Sequence, residues 1–352
     1  MVRVEAHDAV APLEREWGEL ADRVSARPFF RAGWIDAWWR AFGKGRLQIL
    51  AAREGDRLVG VLPLAVHAGT VAAPTNWHTP EFAILGEDAA ARAALAEAAL
   101  QGTKRSLSLG FIPPEGGGLE EARTAAERAG YRILERPLTA SPFVPVSGSF
   151  EDYLAASVAP KVVKEVRRRR RKLEQLGTVE LAVEDGSERL DDLLTEGFAV
   201  EGSGWKDEQG TAIRSRPETQ RFYTDVARWA AAAGTLRLFF LRLDGRPVAF
   251  VFGLEAAGSL YDLKGGYDLE FRTFGPGQMV AYELISYAFA HGLESFEFLG
   301  TAEPFKLEWT QELRERRLLQ AFAPVAGLPD FAAYAYGRPL AKRVLALRRR
   351  GD

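Results

Sequence analysis

The chain has no cysteine, only two methionines and only four histidines. Without cysteine there are no thiol nucleophiles, thiolate metal sites or disulfide bonds, so nothing in the composition indicates an oxidising compartment. The histidines do not cluster along the sequence, and we therefore expect no metal site.

Long apolar runs and a strong charge imbalance are also missing. No stretch approaches the ~20 apolar residues of a membrane span, and the N-terminal segment MVRVEAHDAVAPLEREW lacks the apolar core of a signal peptide. The formal net charge is only −2 over 352 residues, which gives no overall attraction to nucleic acid or membrane. We therefore expect a cytoplasmic protein without a transmembrane segment and with enough residues for two domains.

The two halves of the sequence show the same order of elements. In each half, segments with helical spacing are followed by strand-like runs, and these by a helix and a further strand. Turn signals such as Asp244-Gly245 and Ala257-Gly258 separate the strands of the second half. The segment TASPFVPVSGSF marks a boundary between the halves. This pattern predicts an α/β (α+β) protein with domains at 1–145 and 146–327 and a helical tail at 328–352.

An Arg-x-x-Gly-x-Gly pattern comes after a strand and before the helix QMVAYELISYAFAHG. The start of a helix has unpaired N–H groups and a dipole that favours an anion, and glycine lets a phosphate approach the backbone closely. We therefore predict a diphosphate site in this loop, formed by Arg272, Phe274, Gly275, Gly277 and Gln278. The alternative is a glycine-rich turn with no ligand. No Gly-Lys-Ser/Thr follows, so the loop is not a P-loop.

Several blocks of the sequence resemble the GNAT acyltransferases, and in particular their CelD-like, FemAB-related branch with two tandem GNAT domains. The blocks, spread over residues 29–310, are FFRAGWIDAWWRAFG, RLVGVLPL, GWKDEQGTAI, ETQRFYTDVARWA, YDLKGGYD, FGPG and FEFLGTAEPFKLEWT. The resemblance implies a mixed, mostly antiparallel sheet in each domain, splayed where an acyl donor enters. It also implies acetyl-CoA or another acyl-CoA as the donor and no metal.

The donor is expected in the second domain only. In the first domain the equivalent helix follows AILGEDAA, which has one glycine and two carboxylates, and these would repel a diphosphate. We expect the first domain to help bind the acceptor or to shape the cleft.

Acyl transfer to an amine needs a base, aligned reactants and a stabilised oxyanion. Alternation along the strands places Asp262 opposite to Tyr261, and Glu297 opposite to its phenylalanine neighbours. If the two strands are neighbours, Asp262 and Glu297 line one cleft as candidate bases, with Glu303 as a third. The alternative is that they are solvated strand residues or pair with Lys264.

The resemblance also assigns a role to Lys306, which matches a lysine in the FemAB-related pattern and would steady the acceptor or the developing negative charge. The alternative is an exposed helix lysine. This chain has Phe305 where many relatives have tyrosine, so a phenolic proton donor would have to be Tyr261 or Tyr267.

A polar, glycine-rich segment at 202–213 is the candidate acceptor loop. It contains Trp205, Lys206 and Asp207, and the family pattern includes a Trp-Lys step here. Lys264 is a further candidate for contact with the acceptor. In the first domain, His78 lies on a presumed loop that would face the cleft, with a structural histidine as the alternative.

A basic run, KVVKEVRRRRRKLEQLG, has a broken apolar stripe at helical spacing. One interpretation is a surface helix whose arginine stems cover the domain. The other is an anion site at Arg167–Arg171 for an RNA-borne donor, a phosphate-bearing acceptor or a bilayer surface.

Together these features predict transfer of an acyl group, expected to be acetyl, from acyl-CoA to an amine in a ternary complex. The acceptor would be an amino sugar, a peptide or a cell-envelope precursor for polysaccharide biosynthesis. One alternative is an aminoacyltransferase that uses aminoacyl-tRNA, since FemAB relatives take aminoacyl groups from tRNA. The other is a catalytically degenerate GNAT scaffold that acts as a binding or assembly protein in polysaccharide production.

Overall fold

The computed structural model describes residues 2–203 and 212–337 of the chain. It divides into two compact units. The first unit contains the N-terminal segment up to Trp39, Gly43–Thr139 and the segment that begins at Glu315. The second unit contains Arg40–Phe42 and Ala140–Arg314.

The strands are β1 (Arg3–His7), β2 (Arg46–Glu54), β3 (Arg57–His67), β4 (Thr70–Ala72), β5 (Leu85–Gly86), β6 (Ser106–Ile112), β7 (Arg132–Pro145), β8 (Val179–Glu184), β9 (Leu236–Leu243), β10 (Arg246–Ala256), β11 (Ser259–Tyr267), β12 (Ser295–Glu297) and β13 (Leu313–Phe322). The α-helices are α1 (Glu14–Arg23), α2 (Ala32–Phe42), α3 (Ala89–Gln101), α4 (Leu119–Arg128), α5 (Phe150–Ser157), α6 (Pro160–Glu174), α7 (Leu190–Glu201), α8 (Pro217–Ala232), α9 (Pro276–Ala290), α10 (Pro304–Leu307) and α11 (Leu328–Ala332). Single 3₁₀ turns occupy Ala11–Leu13, Pro28–Phe30, Ile213–Ser215 and Leu269–Phe274, and a π turn occupies Ala333–Gly337.

The first unit has a mixed sheet in the order β1-β2-β3-β4-β6-β13, with β5 paired to β3. All of these pairs are antiparallel except β4 with β6. Helices α3 and α4 contribute alanine and leucine side chains, such as Leu95 and Ala122, to a core that includes Leu62 and Leu109 of the sheet. Small alanine side chains let the two helices lie close to the strands.

The second unit has a mixed sheet in the order β12-β11-β10-β9-β8, and the last residues of β7 pair with the free edge of β12. Every pair is antiparallel except β11 with β12. The turns before β10 and β11 have positive φ at both central residues, Asp244-Gly245 and Ala257-Gly258. Such turns match the twist of a hairpin, which explains why the turn signals in the sequence located these strands correctly.

One core of the second unit lies on the α9 side of its sheet. Leu284 and Ile285 of α9 pack with Leu260 of β11 and Phe296 of β12, and Val166 of α6 joins the same cluster. The mixed, helix-flanked sheets confirm the predicted fold class. Among the described residues no helix is both long enough and apolar enough to cross a membrane.

The observed division of the chain differs from the predicted domains at Arg40–Phe42, which belong to the second unit, and at β13. The change from the first unit to the second comes after Thr139, close to the predicted 145/146 boundary. The strand β13, which we assigned to the second domain, belongs to the first unit from Glu315 onward, because it pairs antiparallel with β6. Strand pairing over this distance leaves no local signal in the sequence.

A buried ion cluster stabilises the first unit. Glu81 and Arg316 are 3% and 1% exposed, and the Arg316 guanidinium is ion-paired with the Glu81 carboxylate. Arg27 Nη1 also donates to Glu81 Oε2, at 2.6 Å. The carboxylate therefore balances guanidinium charge that has been removed from water.

We predict that Glu81→Ala destabilises the protein by roughly 3–5 kcal/mol, because a buried charge that loses its partner carries the full cost of desolvation. Urea denaturation would measure the shift. Glu97→Ala is the matched control, since Glu97 is 52% exposed and lies 3.9 Å from Arg128. An unchanged unfolding midpoint for Glu81→Ala would contradict the prediction.

Candidate functional site

Strands β11 and β12 run parallel and separate after a short paired stretch. The pairs are Ser259 with Ser295, Leu260 with Phe296 and Tyr261 with Glu297. Beyond them β12 ends, whereas β11 continues to Tyr267. The sheet therefore opens on this side of β11, and we call this opening the fork.

A β-bulge lies next to the fork. In the pairing of β10 with β11, Phe252 is opposite Lys264 and Gly253 is opposite Asp262, so Leu263 is an extra residue on β11. Bulges bend a strand and increase its twist. The bulge follows directly after the last β11–β12 pair, and it turns the end of β11 away from the line of β12.

Helix α9 begins at the wide end of the fork, after the donor loop (residues 272–278). Gly275 is its N-cap and has φ +65° and ψ 50°, a left-handed conformation that favours glycine. The ring of Tyr267, the last residue of β11, lies beside Gly277, because a Cβ added there would be 3.5 Å from the ring. The helix start and the end of β11 are thus in contact.

The amides of the donor loop are only partly available. The Gly275 N–H donates to Arg272 O at 3.0 Å, and the Gln278 and Met279 N–H groups donate to Gly275 O at 3.1 and 3.3 Å. Pro276 has no N–H. Within the described part of the chain, the Gly277 N–H has no acceptor, and it is the amide that remains for a ligand.

An arginine from the basic run lies against the donor loop. A Cβ added at Gly275 would collide with Arg169 Nη1, so the guanidinium and the loop are in close contact. Arg169 Nε donates to Glu165 Oε1 at 2.7 Å, while its Nη atoms have no acceptor among the described residues. Hydrogen bonds from Arg168 and Arg169 lower the pKa of Glu165 to about 2, so Glu165 stays ionised and holds Arg169 at neutral pH.

The charge at this point is positive. Arg169 and the positive end of the α9 dipole repel each other unless an anion lies between them. Arg272 is exposed and has no ion-pair partner in the described residues, so it can add a third positive contribution. Phe274 is half-buried and packs at the edge of the core. The arrangement is suited to an anion with more than one charge.

Gln278 has a structural contact instead of a free side chain. Trp309 Nε1 donates to Gln278 Oε1 at 2.6 Å, and Gln278 Nε2 donates to Glu308 Oε2 at 2.5 Å. Tyr153 fixes the same tryptophan by donating to Trp309 O at 2.6 Å, and burial raises the pKa of Tyr153 to about 12. Gln278 thus attaches the start of α9 to the segment after α10.

The register corrects one expectation about the carboxylates. Because Tyr261 is paired with Glu297, these two share a face, and Asp262 alternates to the other face, where Leu260 and Phe296 pack against α9. Glu297 and Asp262 therefore do not line one cleft at this register. The alternation of side chains within each strand was predicted correctly. The inference failed because the sequence does not show how the two strands are aligned with each other.

Glu297 is fully buried among polar partners. Its Oε1 accepts from Arg314 Nε at 2.7 Å and from Ser295 Oγ at 2.9 Å, while Oε2 has no partner among the described residues. The Arg314 guanidinium also lies 3.8 Å from the centroid of the Phe143 ring. These contacts connect β12 with the start of β13 and the end of β7.

Asp262 occupies a different position, since it is the first residue of β11 beyond the last β11–β12 pair. It is half-buried. Burial raises the pKa of Tyr223 on α8, and the carboxylates of Glu201 and Asp262 add to this effect. Asp262 is thus part of the charge environment of Tyr223.

Lys306 is buried and holds the loop after β12. Its Nζ donates to Leu299 O at 3.0 Å and to Thr301 O at 3.4 Å, and it lies 3.1 Å from Glu303 Oε2. Leu299 has φ +53°, an uncommon value for a non-glycine residue. Lys306 also lies 5.6 Å from the centroid of the exposed Phe305 ring. The ammonium group thus stabilises a strained turn beside the fork.

The candidate acceptor residues Trp205, Lys206 and Asp207 lie outside the described residues. The described residues on either side of them contact the fork and Glu201. On one side Ser203 Oγ donates to Tyr267 O at 3.2 Å. On the other side the Ile213 N–H donates to the buried carboxylate of Glu201 at 2.8 Å.

The remaining candidates lie in different places. Lys264 Nζ is 3.9 Å from Glu201 Oε1, on the face of the sheet that α7 covers. Tyr261 is fully buried. His78 belongs to the first unit, where its N–H donates to Asn76 Oδ1 at 2.8 Å in a tight turn. No group of metal-ligating side chains occurs in the described residues.

Three residues of the site could not be recognised in the sequence. Arg169 is one of five consecutive arginines, and only its contact with Gly275 distinguishes it. Glu201 and Arg314 belong to no recognisable sequence motif. The one weak signal is that Glu201 is an acidic residue at the end of a helix, just before a polar segment.

Part of the second unit matches a known protein family. Residues 160–307 match the family model of the acetyltransferase (GNAT) domain, a range that includes Arg169, the fork and the donor loop. Among curated proteins, none matches the chain.

Solved structures show the same fold at low identity. FemX has a TM-score of 0.59 and 14% identity, covering 93% of this chain and 98% of its own. The C-terminal domain of a protein assigned as a lysylphosphatidylglycerol synthetase from Agrobacterium fabrum has a TM-score of 0.58 and 12% identity, covering 93% and 96%. A conserved protein of unknown function from Bacteroides thetaiotaomicron has a TM-score of 0.52 and 12% identity, covering 91% and 100%. Residues 160–307 therefore match a GNAT acetyltransferase domain, and the fold of the whole chain is similar to that of FemX.

Proposed function

We propose that this chain is an N-acyltransferase that transfers an acyl group from acyl-CoA to an amine acceptor. The observation that carries the proposal is the donor loop. There Gly275 is left-handed, the Gly277 amide has no acceptor in the described chain, and Arg169 lies against the loop at the positive end of α9. A diphosphate is the part of the donor that fits this set of charges.

Binding of the donor would begin at this loop. The diphosphate accepts from the Gly277 amide and from Arg169, and Arg272 adds a charge at the exposed side. The pantetheine arm then enters the fork, on the side of β11 that β12 no longer lines beyond Tyr261.

The reaction needs one proton transfer and no covalent enzyme intermediate. The neutral amine attacks the thioester carbon, the C–S bond breaks, and CoA leaves as a thiolate. We propose Asp262 as the base that takes the proton of the amine, directly or through water, because it stands at the start of the fork. Glu297 is fully buried against Arg314 and has a positioning role in this account. Glu303 is 49% exposed and paired with Lys306.

The acceptor would reach the fork beside Ser203 and Ile213, which are bonded to Tyr267 and to Glu201. Trp205, Lys206 and Asp207 are its proposed contacts, with an amino sugar, a peptide or an envelope precursor as the acceptor.

Aminoacyl-tRNA is the second candidate donor, and the observation in its favour is the run of arginines on α6 next to the donor loop. A nucleic-acid donor requires several phosphate contacts and loses affinity steeply as salt is raised. Most of these arginines already have carboxylate partners: Arg167 with Glu151, Arg168 with Glu165 and Arg170 with Glu174. We therefore prefer acyl-CoA.

We predict that Gly277→Ala weakens acetyl-CoA binding at least tenfold and leaves stability unchanged. The added methyl group makes ordinary contact with Tyr267 at 3.5 Å, but it covers the amide that the phosphate would approach. Isothermal titration calorimetry and thermal unfolding would measure the two effects.

A stronger change in the same loop is Gly275→Asp, which adds negative charge at a left-handed position and should abolish binding. Unchanged affinity in both variants would contradict the donor assignment.

We predict that Arg169→Gln lowers the affinity for acetyl-CoA and for inorganic pyrophosphate roughly 10–100-fold, the range for a hydrogen bond to a charged group. Arg168→Gln is the matched control, because Arg168 has the same partner, Glu165, and no recorded contact with the donor loop. Equal losses in both variants would show that only the overall charge matters.

We predict that Asp262→Asn lowers turnover by ~10²-fold or more while the acetyl-CoA dissociation constant stays the same, as expected for loss of a general base. The released CoA thiol can be measured without a background signal from protein thiols, since the chain has no cysteine. Glu303→Gln is the control and should retain turnover. The opposite pattern would assign the base to Glu303.

A further inference from the structure

A cavity of about 410 Å³ lies between α5 and α6 in the second unit. It is separate from the fork and the donor loop, and nothing in the proposed reaction uses it. Its volume is in the range of ~300–1,000 Å³ that is typical of small-molecule sites. We call it the α5–α6 groove.

The lining of the groove combines two kinds of side chain. Its apolar part comes from Leu154, Ala155 and Val158 at the end of α5 and from Pro160 and Val163 of α6. Its polar part consists of Glu151 and a set of cations on α6, namely Lys164, Arg167 and Arg171. Spacings of three and four residues place the three cations on one side of the helix.

Two of these cations have no counter-charge nearby. Arg167 Nη2 donates to both Glu151 oxygens, at 2.9 and 3.1 Å, and to Tyr282 Oη at 3.1 Å. This pair is neutral overall. Lys164 and Arg171 are exposed and have no ion-pair partner among the described residues. The groove therefore presents two unbalanced positive charges, about 10 Å apart along the helix, beside an apolar surface.

The chemistry of the lining narrows the class of ligand. Single-stranded nucleic acid is held by aromatic platforms as well as by cations, and the lining contains no aromatic side chain. An apolar floor next to two free cations instead suits a molecule that has an anionic group joined to a hydrocarbon chain. A basic helix at a surface is also typical of contact with an anionic bilayer.

We propose that the α5–α6 groove binds an anionic phospholipid, with its phosphate on Lys164 and Arg171 and its acyl chain against Ala155, Pro160 and Val163, and so holds the second unit at a membrane surface. The donor loop uses the other side of the same helix, because Arg169 is two residues, or about 200°, away from both Arg167 and Arg171. Lipid binding and donor binding can therefore be tested separately.

The test uses the full chain and vesicles of mixed phosphatidylglycerol and phosphatidylcholine at physiological salt. The expected result is co-sedimentation with these vesicles and none with pure phosphatidylcholine. The double variant Lys164→Gln/Arg171→Gln should bind roughly 25-fold more weakly, since each basic residue near an anionic surface contributes about fivefold. The matched control Lys44→Gln/Lys104→Gln removes two exposed lysines of the first unit and should bind like the unaltered protein.

Two further measurements separate the possible ligands. Soluble short-chain phosphatidylglycerol should compete with the vesicles, and glycerol phosphate should not, because it has no acyl chain. Val163→Asn should weaken the short-chain lipid without changing the charge of the groove. Three results would each overturn the proposal. The double variant could still bind vesicles, or glycerol phosphate could compete as well as the lipid. The double variant could also lose only the binding of RNA. Acetyl-CoA affinity serves as the folding control in every variant.

Discussion

The parallel pairing between β11 and β12 determines the position of the whole candidate site. It covers only residues 259–261 and 295–297, and the bulge at Leu263 turns β11 away immediately afterwards. The crossover helix α9 must connect the end of one strand to the start of the other, so its N-terminus lies at the wide end of the fork. The sheet supplies an opening and the helix supplies a positive end beside it.

The basic helix α6 does more than cover the domain. Val166 and Leu173 pack into the core, Arg170 forms an ion pair with Glu283 of α9, and Arg169 lies against Gly275. A second side of the helix presents Lys164 and Arg171 to the α5–α6 groove. These contacts support the interpretation of the run as a helix that covers the domain, and the anion site stays a prediction.

Much of the fold could be predicted because its signals are local. The Asp244-Gly245 and Ala257-Gly258 turns located the β9–β10–β11 hairpins, and the glycine pattern located the start of α9. The strands β1, β4, β5 and β8 were not predicted. The strand β13 was assigned to the wrong domain because its partner β6 lies far along the chain. The site depended on register, which no local pattern contains: Asp262 and Glu297 were each assigned a face of their own strand correctly, yet they lie on opposite faces of the sheet.

The central claim is that the donor loop receives the diphosphate of an acyl-CoA. Hydrogen exchange of the amides at 275–279, measured with and without acetyl-CoA, tests it most directly. The account predicts slower exchange in this loop, greatest at Gly277, whose amide has no acceptor in the described chain, and no slowing at the α5–α6 groove. Unchanged exchange at Gly277 under saturating acetyl-CoA, or protection elsewhere only, would contradict it.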